Sequence, residues 1–176
     1  MPPPTDSVVV RPLAPEDVPV FLELIDALAD YEQLPRPSAD ARERLAQDAL
    51  PGGGPGGDQP ARFEALLAEV SGVVVGYAVF FMTYSTFLAR PSLYLEDIFV
   101  RPEARGAGAG KALFRACAQE AVRRECGRME WVVLDWNRPA IEFYERRGAR
   151  RLGEWQTYRL DGEALRSAAV GASVQI

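Results

Sequence analysis

A glycine-rich turn between a predicted strand and a predicted helix is the segment of this sequence best suited to chemistry. Residues 93–112 run LYLEDIFVRPEARGAGAGKA. Leu93 to Val100 are mostly β-favouring or large apolar residues and predict a strand, which Pro102 ends. The run RGAGAG at 105–110 predicts a tight turn that leads directly into a helix. Because glycines lack a Cβ, backbone N–H groups in such a turn can converge on phosphate oxygens, and the positive end of the helix adds to the attraction.

Three phosphate-binding patterns and one structural alternative compete for this turn. A P-loop requires G-x-x-x-x-G-K-[ST], but Gly106 and Gly110 are one residue too close and Ala112 has no hydroxyl for Mg²⁺. A dinucleotide fingerprint requires G-x-G-x-x-G, usually near the start of a domain, whereas this spacing is G-x-G-x-G in mid-chain. The third pattern, [RQ]-x-x-G-x-[GA], matches at Arg105, Gly108 and Gly110 and resembles the coenzyme A pyrophosphate site of GNAT acetyltransferases. The structural alternative is a helix start whose small residues only permit close packing.

Length, composition and charge predict one small globular domain, residues 1–176. The chain has 176 residues, of which 48% are hydrophobic and 26% charged. A net charge of −5 disfavours nucleic acid as a partner. No apolar run approaches the roughly 20 residues of a membrane span, and the start MPPPTDS lacks the features of a signal peptide, so no membrane partner is expected. Cys117 and Cys126 lie in one predicted helix and suit reduced thiols, which favours a cytoplasmic location.

The absence of histidine narrows the chemistry further. It excludes Ser-His-Asp and Cys-His catalysis, a histidine base and His-ligated zinc, and no metal site is predicted. Acid–base chemistry must therefore come from Asp, Glu, Tyr, Cys or the single lysine, Lys111.

Alternating strand and helix patterns predict a mixed α/β (α+β) fold. We expect a central twisted mixed sheet of about six or seven strands, flanked by helices on both faces. The predicted strands cover residues 8–11, 63–70, 73–83, 93–100, 128–136 and 155–160. The predicted helices cover residues 15–31, 38–50, 108–126 and 139–148, with a last one after Asp161. Residues 51–60 predict a flexible Gly/Pro loop and residues 170–176 a tail.

Three segments in this order make the whole chain resemble the GNAT N-acetyltransferases. They are ALADYEQLP at 27–35, MTYSTFLARPSLYLEDIFVRPEARGAGAGK at 82–111 and WNRPAIEFYERRGA at 136–149. Within that family the chain is similar to the diamine (spermidine/spermine) and thialysine acetyltransferases. It departs from them after Gly148, where GARRLGEWQTYRL is shorter than in the polyamine enzymes.

The resemblance implies acetyl-CoA as co-substrate and a role for each matching residue. For the cofactor, the backbone of Ile98, Phe99 and Val100 would pair with the pantetheine arm, and Arg105, Gly106, Ala107, Gly108, Ala109, Gly110 and Lys111 would surround the pyrophosphate. Asn137, Pro139 and Ala140 would also contact the cofactor, and Tyr144 would lie close to its sulfur. Glu96 would be the base, acting directly or through water, and Tyr31, Glu32, Glu96, Glu130, Trp131 and Glu154 match or approximate the amine site.

Acetyl transfer to an amine requires a base for the amine and favours an acid for the leaving thiolate, and the sequence offers candidates for both. An alkylamine is protonated at neutral pH and is no nucleophile until a base such as a carboxylate takes its proton. A tyrosine near the thioester, such as Tyr144, can protonate the leaving thiolate. The structural alternatives are that Glu96 and Asp97 are solvated strand-edge charges, that Tyr144 is a core aromatic and that Trp131 is a core or cleft-wall residue.

The sequence therefore predicts an acetyl-CoA-dependent N-acetyltransferase. Its acceptor would be the primary amine of a small cationic molecule, namely a diamine, a polyamine or a thialysine-like amino acid, which attacks directly. A homodimer is expected by family analogy alone. Two alternatives stay open: an acetyltransferase for protein N-termini or lysines, and a non-catalytic acyl-CoA-binding or sensing domain.

Overall fold

The computed structural model describes residues 8–52 and 60–170 and divides the chain into two compact units, the second beginning at Val133. The predicted loop at 51–60 and the predicted tail lie largely outside the described residues. The first unit contains β1 (Val8–Pro12), α1 (Val18–Glu32), α2 (Ala39–Asp48), β2 (Glu64–Val70), β3 (Val73–Ser85), β4 (Arg90–Val100), α3 (Ala109–Arg123) and β5 (Arg128–Glu130). The second unit contains α4 (Arg138–Glu145) and α5 (Gly162–Val170).

The strands form one mixed sheet in the order β1-β2-β3-β4-β5. The first four are antiparallel neighbours, and β5 runs parallel to β4, with Ser92 opposite Arg128 and Tyr94 opposite Glu130. The mixed sheet is as predicted, but the expected six or seven strands are wrong, because the described residues contain five.

Two predicted strands account for the difference. Residues 155–160 form no strand, and every residue from 150 to 170 is exposed. A favourable composition does not make a strand without a neighbour to accept its hydrogen bonds. The predicted strand at 128–136 is shortened to β5, because its ladder with β4 ends at Tyr94.

Helices cover both faces of the sheet, as predicted. On one face, Ala109, Leu113, Cys117 and Ala121 line α3 at intervals of four residues and pack on a core that includes Ala78, Phe80, Leu93 and Leu95. On the other face, Phe21 and Leu24 of α1 pack on a core that includes Leu67, Tyr77, Val79 and Phe99. Cys117 and Cys126 are free thiols. Within the described ranges, no helix is long and apolar enough to cross a membrane.

β4 contains one residue more than β3 can pair. Val79 lies opposite Asp97 and Phe80 lies opposite Leu95, so Glu96 is the extra residue of a β-bulge. A bulge bends a strand and changes the direction of its side chains. This irregularity lies two residues beyond Tyr94, where the ladder to β5 ends.

Beyond the bulge, β3 and β4 approach closely at Gly76. A Cβ on Gly76 would stand 2.5 Å from the carbonyl oxygen of Phe99 and 2.9 Å from Cγ2 of Val100. Only glycine fits this position without moving the backbone, so Gly76 allows β3 to approach the last residues of β4, just before the glycine-rich segment.

We therefore expect Gly76→Ala to lower the free energy of unfolding by about 1–3 kcal/mol, because the added methyl group must displace β4. Urea titration followed by circular dichroism measures the change. Gly153→Ala is the matched control, since no atom lies within 4 Å of its Cβ position. Equal stabilities of the two variants would contradict the close approach.

Candidate active site

The outer edge of β4 carries exposed backbone hydrogen-bonding groups. Arg101 donates its N–H to the carbonyl oxygen of Val75 at 2.9 Å, on the β3 side. Because N–H and C=O groups alternate between the two edges of a strand, those of Ile98 and Val100 point away from β3. Phe99 turns its own groups toward β3. Of the three residues predicted to contact pantetheine, Ile98 and Val100 therefore present their backbone groups at the open edge, whereas Phe99 does not.

The glycine-rich turn follows this edge and leads into α3. Gly106 and Gly108 have φ angles of 90° and 92°, a left-handed conformation that favours glycine. No heavy atom outside the turn lies within 4 Å of the Cβ position of either residue, so the space in front of the turn is open. The first helical bond runs from Ala112 N–H to Gly108 O, at 2.9 Å, and the N–H groups of residues 109–111 have no partner within the helix. This geometry suits a phosphate group, and the exposed Lys111 adds a positive charge.

Arg105 joins the glycine turn to α1. Its Nε donates to the carbonyl oxygen of Val100 at 3.1 Å. Its guanidinium carbon lies 4.7 Å from the ring centroid of Tyr31 and 5.9 Å from that of Phe99, both within the range of cation–π contact. The predicted phosphate-binding arginine and a predicted amine-site residue therefore touch in the first unit.

A cluster of carboxylates lies around the buried Tyr77. The hydroxyl of Tyr77 donates to Oδ2 of Asp97 at 3.3 Å. Burial, and then the nearby charges of Glu96 and Glu32, raise the pKa of Asp97 to about 6, although the Tyr77 hydrogen bond acts in the opposite direction. Burial also raises the pKa of Glu32. The cluster thus contains a carboxyl group able to gain or lose a proton near neutral pH.

A cavity of about 450 Å³ opens beside these acids. Its walls come from α1, α2, β3, β4 and the residues just before β2, all in the first unit. It is lined by apolar and aromatic side chains together with three charged ones: Phe21, Ile25, Leu45, Arg62, Phe63, Val79, Phe81, Glu96 and Asp97. The bulge explains why two consecutive residues, Glu96 and Asp97, line the same cavity, since side chains of a regular strand alternate between faces. Such a site can hold a cation with an apolar chain.

The two other amine-site candidates of the first unit lie at the end of the sheet near β5. Glu130 lies opposite Tyr94. The pKa of Tyr94 is raised mainly by burial, then by the charge of Glu96 and then by that of Glu130. The carboxylate of Glu130 also pairs with Arg128 at 2.9 Å. Trp131 packs edge-on against Phe114 of α3, with ring centroids 5.5 Å apart. The structure therefore places Glu130 beside Tyr94 and Arg128, and Trp131 with the α3 core.

The second unit carries the remaining predicted residues. Asn137 caps α4, its side-chain oxygen accepting from Ala140 N–H at 3.3 Å, and Pro139 lies in the first turn. Tyr144 is buried, and its ring centroid lies 5.3 Å from that of Phe143. Glu154 is exposed in an irregular segment. Their predicted roles at the cofactor and at the amine stay predictions.

Asp97, Tyr77 and Arg62 are site residues that the sequence analysis did not assign. The pattern around Asp97 is that of a strand-edge charge, and its position next to Glu96 is the one signal for a role in the site. Nothing in the pattern around Tyr77 distinguishes it from other core aromatics, and Arg62 precedes a strand like many exposed arginines. In the described part of the chain, no group of three or more His, Cys, Asp or Glu residues is arranged to hold a metal ion.

Comparison with known proteins identifies the family. The model of the acetyltransferase (GNAT) family matches residues 21–149. The thialysine N-epsilon-acetyltransferase of Sus scrofa is 35% identical over 174 residues, which cover 93% of this chain and 98% of that protein. The L-ornithine N5-acetyltransferase NATA1 of Arabidopsis thaliana is 45% identical over 111 residues, covering 62% of this chain and 49% of that protein. Among solved structures, an integron cassette protein of V. cholerae has the same fold, with a TM-score of 0.76 and 23% identity over 94% of this chain and 99% of that one.

The chain therefore belongs to the GNAT family and is an N-acetyltransferase. This confirms the family resemblance drawn from the sequence motifs, including the similarity to thialysine acetyltransferases. The match to the family model includes β4, the glycine turn, α3 and α4.

The raised pKa of Asp97 makes stability depend on pH. Its carboxyl group titrates near 3.8 in the unfolded chain and near 6 in the folded one, so between these values the folded state binds more protons. The free energy of unfolding should therefore fall as pH rises from about 4 to 6, by on the order of 2 kcal/mol, and this component should vanish in Asp97→Asn. Urea titrations between pH 4 and 8 measure it. The control Glu43→Gln, an exposed acid on α2, should keep the wild-type slope, and an unchanged slope in Asp97→Asn would contradict the assignment.

Proposed function

We propose that this N-acetyltransferase moves the acetyl group of acetyl-CoA to the primary amine of a small cationic acceptor, by direct attack. The acceptor class comprises diamines, polyamines and thialysine-like amino acids. One observation carries the proposal: β4 ends in a turn suited to phosphate and, at its bulge, contributes Glu96 and Asp97 to a cavity suited to a cation. Arg105, at the turn, stacks on Tyr31, which the sequence analysis assigns to the amine site.

The residues of the first unit fit coenzyme A. The open turn at Gly106 and Gly108 and the N–H groups that start α3 suit its pyrophosphate, and Arg105 and Lys111 add positive charge. The outward groups of Ile98 and Val100 suit an extended chain of amides such as pantetheine. When bound, acetyl-CoA supplies the acetyl thioester. Val100 O accepts one hydrogen bond from Arg105, and its second lone pair can accept from another donor.

The acidic cluster would select and deprotonate the amine. Carboxylates around the cavity attract an ammonium group, and deprotonation is required before the nitrogen can attack. Asp97 is ionised for the most part at neutral pH, but a pKa near 6 makes it a better base than an ordinary aspartate. Glu96, the base implied by family resemblance, lies next to Asp97 on the same cavity and would act directly or through water.

The predicted residues of the second unit have roles that the family resemblance implies. Following the family resemblance, Asn137, Pro139 and Ala140 at the start of α4 would contact the cofactor, and Tyr144 would protonate the leaving thiolate. Glu154 would contribute to the amine site. The relatives named for thialysine and ornithine support a small amine as acceptor. The free thiols Cys117 and Cys126 support a cytoplasmic location, and a homodimer is proposed from family analogy.

The deciding experiment is release of CoA from acetyl-CoA with a panel of acceptors. The panel contains alkyl monoamines, diamines of equal length, polyamines, lysine-like amino acids and peptides with free N-termini. Turnover with small dications or amino acids but not peptides supports the proposal. Preference for peptides would favour a protein acetyltransferase, and CoA binding without turnover of any amine would favour an acyl-CoA-binding domain.

The glycine turn gives a prediction about the cofactor. Gly108→Ala places a Cβ in the open space and forces an L-residue into a left-handed conformation, so we expect CoA affinity to fall by about tenfold or more. Gly110→Ala is the control, because its Cβ would lie at an ordinary 3.7 Å from Val100 Cγ2 and the motif accepts alanine there. Calorimetry measures both, after thermal melts confirm folding. Equal CoA affinities in the two variants would contradict the assignment of the turn to the cofactor site.

The acidic pair gives a prediction about the base. We expect kcat/KM of the wild type to rise with pH through an apparent pKa near 6, reflecting ionisation of Asp97. Glu96→Gln should shift this step to lower pH, because the Glu96 charge raises the pKa of Asp97. Asp97→Asn should abolish the step. If instead Glu96→Gln abolishes it and Asp97→Asn preserves it, Glu96 is the base.

A further inference from the structure

We propose that Arg62 determines acceptor specificity by binding a carboxylate at the far end of the cavity. The preferred acceptor would then be an amino acid with a side-chain amine, and diamines would be poorer substrates. This inference rests on the proposed function, because it assigns the cavity to the acetyl acceptor. Of the acceptor types in the proposed function, the inference about Arg62 selects the thialysine-like amino acids.

The charges of the cavity are separated across the sheet. Glu96 and Asp97 lie on β4, whereas Arg62 lies two residues before β2. Since β3 lies between these strands, two interstrand spacings, or about 10 Å, separate β4 from β2, and Arg62 lies three residues before Ala65, which is in register with Asp97 through Val79. The cavity therefore has an acidic wall and a basic wall, with apolar side chains between them.

The position of Arg62 is held by Asp48 at the end of α2. The backbone N–H of Arg62 donates to the carbonyl oxygen of Asp48 at 2.9 Å. Its Nε donates to Oδ1 of Asp48 at 3.2 Å. A guanidinium group has four further N–H donors, and their planar arrangement matches a carboxylate. Arg62 is thus oriented by one carboxylate and chemically suited to bind a second.

An amino acid with a side-chain amine complements this distribution of charge. Its α-carboxylate would pair with Arg62, and Asp48 offers a negative charge to its α-ammonium group. Its methylene chain would lie along the apolar walls, which include Phe21, Ile25 and Phe63. Its terminal amine would then face Glu96 and Asp97. A diamine of the same chain length would lack the carboxylate that Arg62 binds.

The test compares each amino acid with the diamine formed by removing its carboxyl group, such as ornithine with putrescine and lysine with cadaverine. We expect the wild type to prefer the amino acid by about 10- to 100-fold in kcat/KM, the range of one charge-assisted contact. Arg62→Gln should remove most of this preference by lowering kcat/KM for the amino acids, while the diamines stay equal or improve. Arg62→Lys should keep part of the preference, since it retains the charge without the planar donors. Amino-acid methyl esters should behave like the diamines.

Two controls separate the possible failures. Arg44→Gln, an exposed arginine on α2, removes the same charge and should keep the wild-type preference. Thermal melts and CoA affinity should match the wild type in all variants. A wild type that turns over no small amine overturns the proposed function itself. A wild type that acetylates small amines with a preference unchanged in Arg62→Gln overturns only the assignment of Arg62.

Discussion

The extra residue that Glu96 introduces into β4 is the constraint on which the site depends. In a regular strand, Glu96 and Asp97 would point to opposite faces, and one carboxylate would enter the apolar core beneath α3. The bulge lets both acids line the cavity on the α1 face. Pairing with β5 also ends at Tyr94, just before the bulge, so within the described residues no strand pairs with the outer edge of β4 beyond it.

The bulge of β4 and the turn that follows the strand consequently have opposite electrostatic character. Toward the bulge, Glu32, Glu96 and Asp97 surround the Tyr77 hydroxyl, and burial in like-charged surroundings raises the pKa of Asp97. Past Val100, the glycine turn and α3 present N–H groups and the positive end of a helix. The proposed reaction moves an acetyl group from an anionic cofactor to a cationic acceptor. It therefore needs the acidic and the positive regions close together. The contact between Arg105 and Tyr31 shows that the first unit brings them within side-chain reach.

Most of the fold was predictable from local pattern. The glycine turn, α3 and α4 follow from residue types a few positions apart, and the structure shows them near the predicted bounds. The strand count was overestimated because residues 155–160 have the composition of a strand without forming one. Strand formation depends on a hydrogen-bonding partner, and composition contains no information about that partner.

The sequence by itself determined the family, the absence of histidine chemistry and the place of the glycine turn proposed to bind phosphate, since each depends on residue identity and short-range spacing. Only the tertiary structure decided that Asp97 joins Glu96 at the cavity, that Phe99 turns its backbone toward β3, and that Arg62, two residues before β2, lines the same cavity. The first two features depend on how β3 and β4 pair, where one extra residue reverses the direction of a side chain, and the third depends on the packing of segments distant in the chain. The pKa of Asp97 is likewise a tertiary property, because it arises from burial and from charges such as Glu32 that lie distant in sequence.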